Sequence, residues 1–241
     1  MIYPDQTALA NPAQCWEWFE PENQRRGAGE PAAIAGMSRD VRSEFAIDDS
    51  AVYLAGFSAG GAMAPIMAAA YPDLYAVVGV HSGLEYDAAN SALGAPAAMS
   101  FGGPDPQEQG KEAYEEMGER AGVVRTIVVH GEEDYTIDPI NGDQAAAQAI
   151  RTNDLAADGT DEQGLDTTHE TVRRERSSGH HFLYRSSRTR AGTCSSRSTR
   201  SRGWVMPGPA VRPAASTPSP TRRMRADSCG SFSPARARTD R

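Results

Sequence analysis

Gly56-Phe57-Ser58-Ala59-Gly60 spells Gly-x-Ser-x-Gly, a spacing that presents a serine hydroxyl on a tight turn from strand to helix. The turn is so sharp that only small residues fit beside the serine. The chemistry it serves is nucleophilic attack on a carbonyl carbon. The N–H of Ala59, at the start of the following helix, would face the oxyanion that forms. The pattern alone is weak: at average Gly and Ser usage, a chain of 241 residues holds one by chance on the order of one time in ten. An ordinary glycine turn is therefore the competing reading. The apolar run that ends at Gly56 and the helical stretch that begins near Gly60 favour the nucleophile.

A serine nucleophile needs a base and an acid that orients it, in the chain order Ser, Asp or Glu, then His. His130-Gly131-Glu132-Glu133-Asp134 closes an apolar run at the place where catalytic groups gather in parallel sheets. Asp134 is the expected acid, with Glu133 and Asp138 as alternatives; a solvated acidic turn is the plainer reading. Of five histidines, His81 and His130 precede Asp134, which is the wrong order. His169 stands in an acidic, aperiodic stretch, and His180 and His181 follow. Each reads as an ordinary solvated or locally packed histidine.

The elements that must position these groups alternate between strand and helix. Val52-Tyr53-Leu54-Ala55-Gly56, Ala76-Val77-Val78-Gly79-Val80 and Thr126-Ile127-Val128-Val129-His130 are short apolar runs bounded by turn residues, as buried strands are. Ala62 to Ala70 reads as a helix with Pro65 near its first turn, and Asp143 to Arg151 as another. The fold class this predicts is α/β, with a mostly parallel sheet covered on both faces. Residues 1–152 form the expected catalytic domain and 153–171 an acidic loop. Residues 172–241, rich in Ser, Arg, Pro and Gly, lack apolar periodicity and are expected to be a disordered or poorly packed tail.

Charge divides the same way. Residues 1–170 carry 29 acidic and 8 basic side chains, and residues 171–241 carry 3 and 16, within a net charge of −8. A basic tail can bind nucleic acid through phosphates, but no interleaved aromatic platform accompanies this one and the body is strongly acidic. No run approaches 18 apolar residues, so no membrane-spanning helix is expected. The start, Met1-Ile2-Tyr3-Pro4, has neither a basic nor an apolar leader segment, so it does not read as a signal peptide. Three cysteines, at 15, 194 and 229, make neither a disulfide framework nor a four-ligand zinc site. No metal or other cofactor is implied.

Several spaced motifs together resemble the poly(3-hydroxybutyrate) depolymerase family of esterases, which is related to feruloyl and acetylxylan esterases. They are Tyr3-Pro4-Asp5-Gln6, Cys15-Trp16-Glu17-Trp18-Phe19, Gly56-Phe57-Ser58-Ala59-Gly60-Gly61-Ala62-Met63, Tyr71-Pro72-Asp73, His81-Ser82-Gly83-Leu84 and His130-Gly131-Glu132-Glu133-Asp134, and they cover residues 2–152. The resemblance implies a partial α/β-hydrolase fold, catalytic Ser58 and Asp134, an oxyanion contact from Ala59, an acyl-enzyme mechanism on ester substrates, and secretion. Trp16 and Trp18 would line the acyl or polymer site, with core packing as the plainer role. Two family features are missing. One is an upstream His-Gly-Cys segment, which helps form the oxyanion hole and whose cysteine would pair with Cys15. The other is the Gly-x-Gly-His-x-Trp stretch that supplies the triad histidine.

The second absence has a reading in the genetic code. Only one of 24 basic residues is lysine, Lys111, as in a GC-rich gene. Codons begun at the third base of the existing ones force Gly at the Trp204/Val205 join and Ala at the Met206/Pro207 join. They permit Gly-Leu-Gly-His-Ala-Trp across 202–208. The expectation is that a frameshift produced the basic tail and displaced the histidine.

Overall fold

Short runs of β-branched and aromatic residues build the strands that carry the site. The computed structural model describes residues 1–159, 171–177, 180–188 and 194–201, all within the first of two units, Met1–Met206. The elements run α1 (Gly29–Glu44), β1 (Tyr53–Phe57), α2 (Ala59–Ala70), β2 (Val77–His81), α3 (Ala95–Phe101), α4 (Pro106–Met117), β3 (Arg125–Gly131), α5 (Ile140–Asp158), β4 (Thr171–Ser177), β5 (His180–Arg188) and β6 (Cys194–Ser201). They form an α/β fold around one sheet of order β1-β2-β3-β6-β5-β4. The neighbours β1, β2, β3 and β6 pair in parallel, and β5 and β4 add on antiparallel.

Helices α2 and α5 pack on the same sheet face. Ala64 of α2 and Ala145 and Ala146 of α5 meet Val80 and Val128, with Leu54 beside them. The larger core continues through Met63, Ile66 and Met67 of α2 to Tyr71, Tyr75 and Leu84. At the carboxyl end of α2, Arg26 donates to the Ala70 carbonyl (2.9 Å), pairs with Asp73 (2.6 Å) and lies over the Tyr71 ring. A cation there compensates the unpaired helix carbonyls.

Four expectations change. The predicted helix at 62–70 begins at Ala59, so Pro65 sits inside α2 rather than in its first turn. The chain after Arg151 continues as α5 to Asp158, so the first part of the expected acidic loop is helical; residues 160–170, including His169, lie outside the described residues. Residues 171–201, expected without regular structure, form β4, β5 and β6. Ladder hydrogen bonds between backbones need no apolar period, and pairing β6 to β3 satisfies them. The remainder of the tail lies outside the described residues.

The fourth change concerns coverage. On the face away from α2 and α5, Tyr53, Ala55 and Phe57 are exposed, and Val77, Gly79, His81, Ile127 and Val129 are half-buried. Across β1, β2 and β3 that face is thus the less covered of the two.

Candidate active site

Ser58 stands between the last residue of β1 and the first of α2, with φ 55° and ψ −120°. A non-glycine residue at positive φ is strained, and it persists only where its surroundings fix it. Here the Ser58 N–H donates to the His81 carbonyl (3.0 Å) and the Ser58 carbonyl accepts from the Ala62 N–H (2.9 Å). Ser58 thus ties the end of the sheet to the first turn of α2 through the peptide groups on both its sides. The turn closes because of glycines: a Cβ on Gly56 would stand 1.8 Å from the Gly60 carbonyl oxygen, and one on Gly61 would stand 2.6 Å from the His81 carbonyl oxygen. Ala59 is the first residue of α2, so its N–H has no acceptor in the helical ladder.

Asp134 follows β3 by three residues and is 3% exposed. Its Oδ1 accepts from the backbone N–H groups of Thr136 and Ile137, each at 3.0 Å. Its Oδ2 lies 3.7 Å from Nε2 of His130, which bonds the Ile137 carbonyl at 2.9 Å. The His130 ring fills the space a side chain on Gly142 would need, at 2.7 Å from Nδ1. His130 therefore braces the loop that carries Asp134, a role the sequence reading missed. Glu133 and Asp138 are both exposed, and Asp138 turns its carboxylate to the Ile140 N–H (2.9 Å).

Register puts Ser58 and Asp134 on one sheet edge. Phe57 pairs with His81 and His81 with Val129, so both leave the carboxyl end of the sheet. They are two strand spacings apart, roughly 10 Å. His81 occupies the strand between, but its ring packs edge-on against Phe57 (5.0 Å), on the less covered sheet face. Burial, then the nearby His130, hold the His81 pKa below the usual imidazole range, and Asp134 opposes them.

The later histidines reach the same edge on the far side. Gly131 pairs with Ser201 and Ser201 with Phe182, so His180 and His181 open β5 at this edge. They stand two strands beyond β3 and four beyond β1, with Asp134's strand between them and Ser58. Strand β6 itself leaves the edge at Ser201, beside Gly131.

The two tryptophans separate. Trp16 is half-buried, with its Cδ1 3.7 Å from where a Gly60 side chain would begin, so it borders the elbow. Trp18 is 5% exposed and packs edge-on against Phe19 in the core. Trp18 is thus part of the core. Cys15 is a free, exposed thiol.

Comparison with known proteins bears on the family and the fold. The chain is 35% identical over 150 residues to poly(3-hydroxyalkanoate) depolymerase C of Paucimonas lemoignei, covering 61% of this chain and 36% of that protein. It is 30% identical over 162 residues to feruloyl esterase B of Thermothelomyces thermophilus, covering 63% of this chain and 52% of that one. The chain therefore spans between a third and about half the length of these relatives. Among solved structures, an acetyl xylan esterase from Aspergillus awamori shares the fold with a TM-score of 0.60 at 20% identity, over 86% of this chain and 78% of that one. The family model "Esterase PHB depolymerase" matches residues 1–174. Covering well over half of the chain, that match establishes that it belongs to the esterase PHB depolymerase family.

Proposed function

We propose that this chain carries the nucleophile, the acid and an oxyanion-hole N–H of a secreted serine ester hydrolase acting on polyhydroxyalkanoate-type polyesters or related acyl esters. The observation that carries this reading is the strained Ser58 on the sheet edge that also bears the buried Asp134. In the proposed reaction Ser58 Oγ attacks the ester carbonyl carbon and its proton passes to a histidine. The oxyanion is held by the Ala59 N–H. The alcohol leaves with that proton, and water then attacks the acyl-serine and regenerates Ser58. Asp134 would accept from the histidine through Oδ2, since Oδ1 already serves two backbone donors. Trp16, which borders the elbow, would be the aromatic that meets an acyl chain.

The base is the weak point. His180 and His181 are separated from the Ser58 strand by four strand spacings, about 19 Å, beyond the span of one imidazole with a hydrogen bond at each end. The shifted-frame histidine falls at the Val205/Met206 join, a few residues after β6 leaves the edge beside Gly131. This placement favours a second reading: the chain as it stands is a catalytically impaired form, and the frame shift is the cause.

Hydrolysis of p-nitrophenyl butyrate separates the two readings. The chain as it stands should work near background. A version that follows the shifted frame through the tail, residues 172–241, should gain roughly a thousandfold or more in kcat/KM, and Ser58→Ala should remove that gain. Full turnover by the unaltered chain would overturn the impairment. A gain that survives Ser58→Ala would overturn the nucleophile.

A further inference from the structure

Trp16 borders the elbow from a segment outside the sheet and the long helices, so something must hold it there. Its two flanking peptides are both tied. The Cys15 carbonyl, before it, accepts from the Asn11 side chain (2.9 Å). The Glu17 N–H, after it, donates to Glu30 Oε2 (2.7 Å). A peptide is planar, so holding the planes on both sides of a residue fixes its φ and ψ and the direction of its Cβ. The indole inherits that direction, and Gly60 leaves the room for it.

Glu30, the second residue of α1, is the centre of this clamp. Its Oε1 accepts from the Gln6 side chain, and its Oε2 accepts from the Glu17 N–H and from Asn23 Nδ2 (3.2 Å). Asn23, 4% exposed, closes the ring: its Oδ1 accepts from the Glu30 N–H (2.8 Å) and its Nδ2 donates to the Glu17 carbonyl (2.8 Å). Gly29 admits Asn23 this closely, since a Cβ there would stand 2.0 Å from Oδ1. Among the described residues no basic side chain forms an ion pair with Glu30. Burial pushes its carboxyl up, against the bonds from the Glu17 N–H and Gln6. A carboxylate kept here without a cation is kept for where its oxygens reach.

We propose that Glu30 is a positioning residue for the acyl end of the ester site: by holding the peptide after Trp16 it sets where the indole stands beside the Ser58 turn, and so which acyl chain length the site prefers. The inference rests on the reading that Trp16 meets the acyl chain. Reach is the operative property, not charge, because the groups that Glu30 binds are a backbone N–H and two side-chain amides. Glu30 touches no reacting atom, so its effect is on the preference among substrates.

The test is equilibrium dialysis of the full chain against p-nitrophenyl hexyl ether and p-nitrophenyl ethyl ether, read by nitrophenyl absorbance. These resemble the hexanoate and acetate esters but have no scissile carbonyl, so binding is read without turnover. The hexyl ether should bind at least about tenfold tighter than the ethyl ether, because the added methylenes leave water. Glu30→Gln keeps an acceptor oxygen at the same reach, and the ratio of the two affinities should stay within about twofold of the unsubstituted chain. Glu30→Asp keeps the charge but falls one methylene short, and the ratio should drop to about threefold or less. Both variants keep a polar group in the first turn of α1, so neither removes the helix start. A clamp that served stability alone would weaken both ethers together and leave the ratio unchanged. An unchanged ratio in Glu30→Asp, or the reverse order with Asp retaining the preference and Gln losing it, would overturn the positioning role. Trp16→Ala should lose the preference too. A preference that survives Trp16→Ala, or no saturable binding by the unsubstituted chain, would overturn the Trp16 reading itself and this inference with it.

Discussion

Ser58 holds a backbone conformation that costs energy, and its neighbours keep it there. The glycines around it are not equivalent. At Gly56 a methyl group would stand 1.8 Å from a backbone oxygen that belongs to the elbow itself, whereas at Gly60 the nearest atom is 3.7 Å away, on the Trp16 ring. Gly56→Ala should therefore destabilise the chain by about 3 kcal/mol or more, while Gly60→Ala stays within about 1 kcal/mol; urea unfolding of both variants checks this. The elbow was legible in the sequence because tight turns demand glycine at fixed spacing. The sequence offers four acids just after β3, Glu132, Glu133, Asp134 and Asp138, and spacing alone does not choose among them; burial in the structure sets Asp134 apart from exposed Glu133 and Asp138. The bracing role of His130 was not legible: it depends on a contact with Ile137 and on space left by Gly142, neither of which spacing in the sequence encodes. The burial of Glu85 left only a faint signal, one acid between Leu84 and Tyr86 in a run that is otherwise buried.

Strands β1, β2 and β3 were readable within a residue or two because each is a short apolar run bounded by turn residues. Helix α4 was not. Its sequence is mostly polar and contains Gly110, which lowers helix propensity. The glycine is there for packing, since a side chain would meet the Arg151 Cβ at 2.6 Å where α4 crosses α5. Strands β4 to β6 were unreadable for a different reason: their pairing is backbone to backbone and their residues carry no apolar alternation. Helix α2 supports the site from its far end as well. Arg26 there serves the Ala70 carbonyl and Asp73 together, and Asp73 is held below the usual carboxylate range by that guanidinium. Arg26→Met should cost about 1 kcal/mol in thermal or urea unfolding, partly exposed as the pair is. No change on Arg26→Met would reduce the contact to surface decoration.

At the scale of the whole molecule, β1, β2 and β3 have one well-buried face and one that is less covered. Strand β1 lies at the edge of the order, with Tyr53 51% and Phe57 47% exposed beside exposed Phe45 and Ile47. An open edge with exposed aromatics favours association. The double substitution Tyr53→Lys and Phe57→Lys should lower concentration-dependent light scattering; equal scattering would show that this edge is not what associates.

Stability also responds to pH through Glu85. Burial pushes its folded carboxyl up to about 8, against 4.5 for the unfolded one. Below about 4.5 both states are protonated and Glu85 carries no charge penalty. As pH rises toward 8 the unfolded chain ionises first, so stability falls, and the loss is complete above the folded pKa. Glu85→Gln should therefore gain on the unsubstituted chain in urea unfolding between pH 5 and pH 8. Parallel pH curves for the two would contradict this.

With a histidine beside Asp134, the Ser58 hydroxyl should form a covalent acyl-type bond. The most direct measurement is peptide mass spectrometry of the shifted-frame version after reaction with a p-nitrophenyl alkylphosphonate. One adduct is expected, on the peptide containing Ser58, lost in Ser58→Ala and nearly absent from the unaltered chain. An adduct on another residue, or none in the version with the histidine restored, would contradict it.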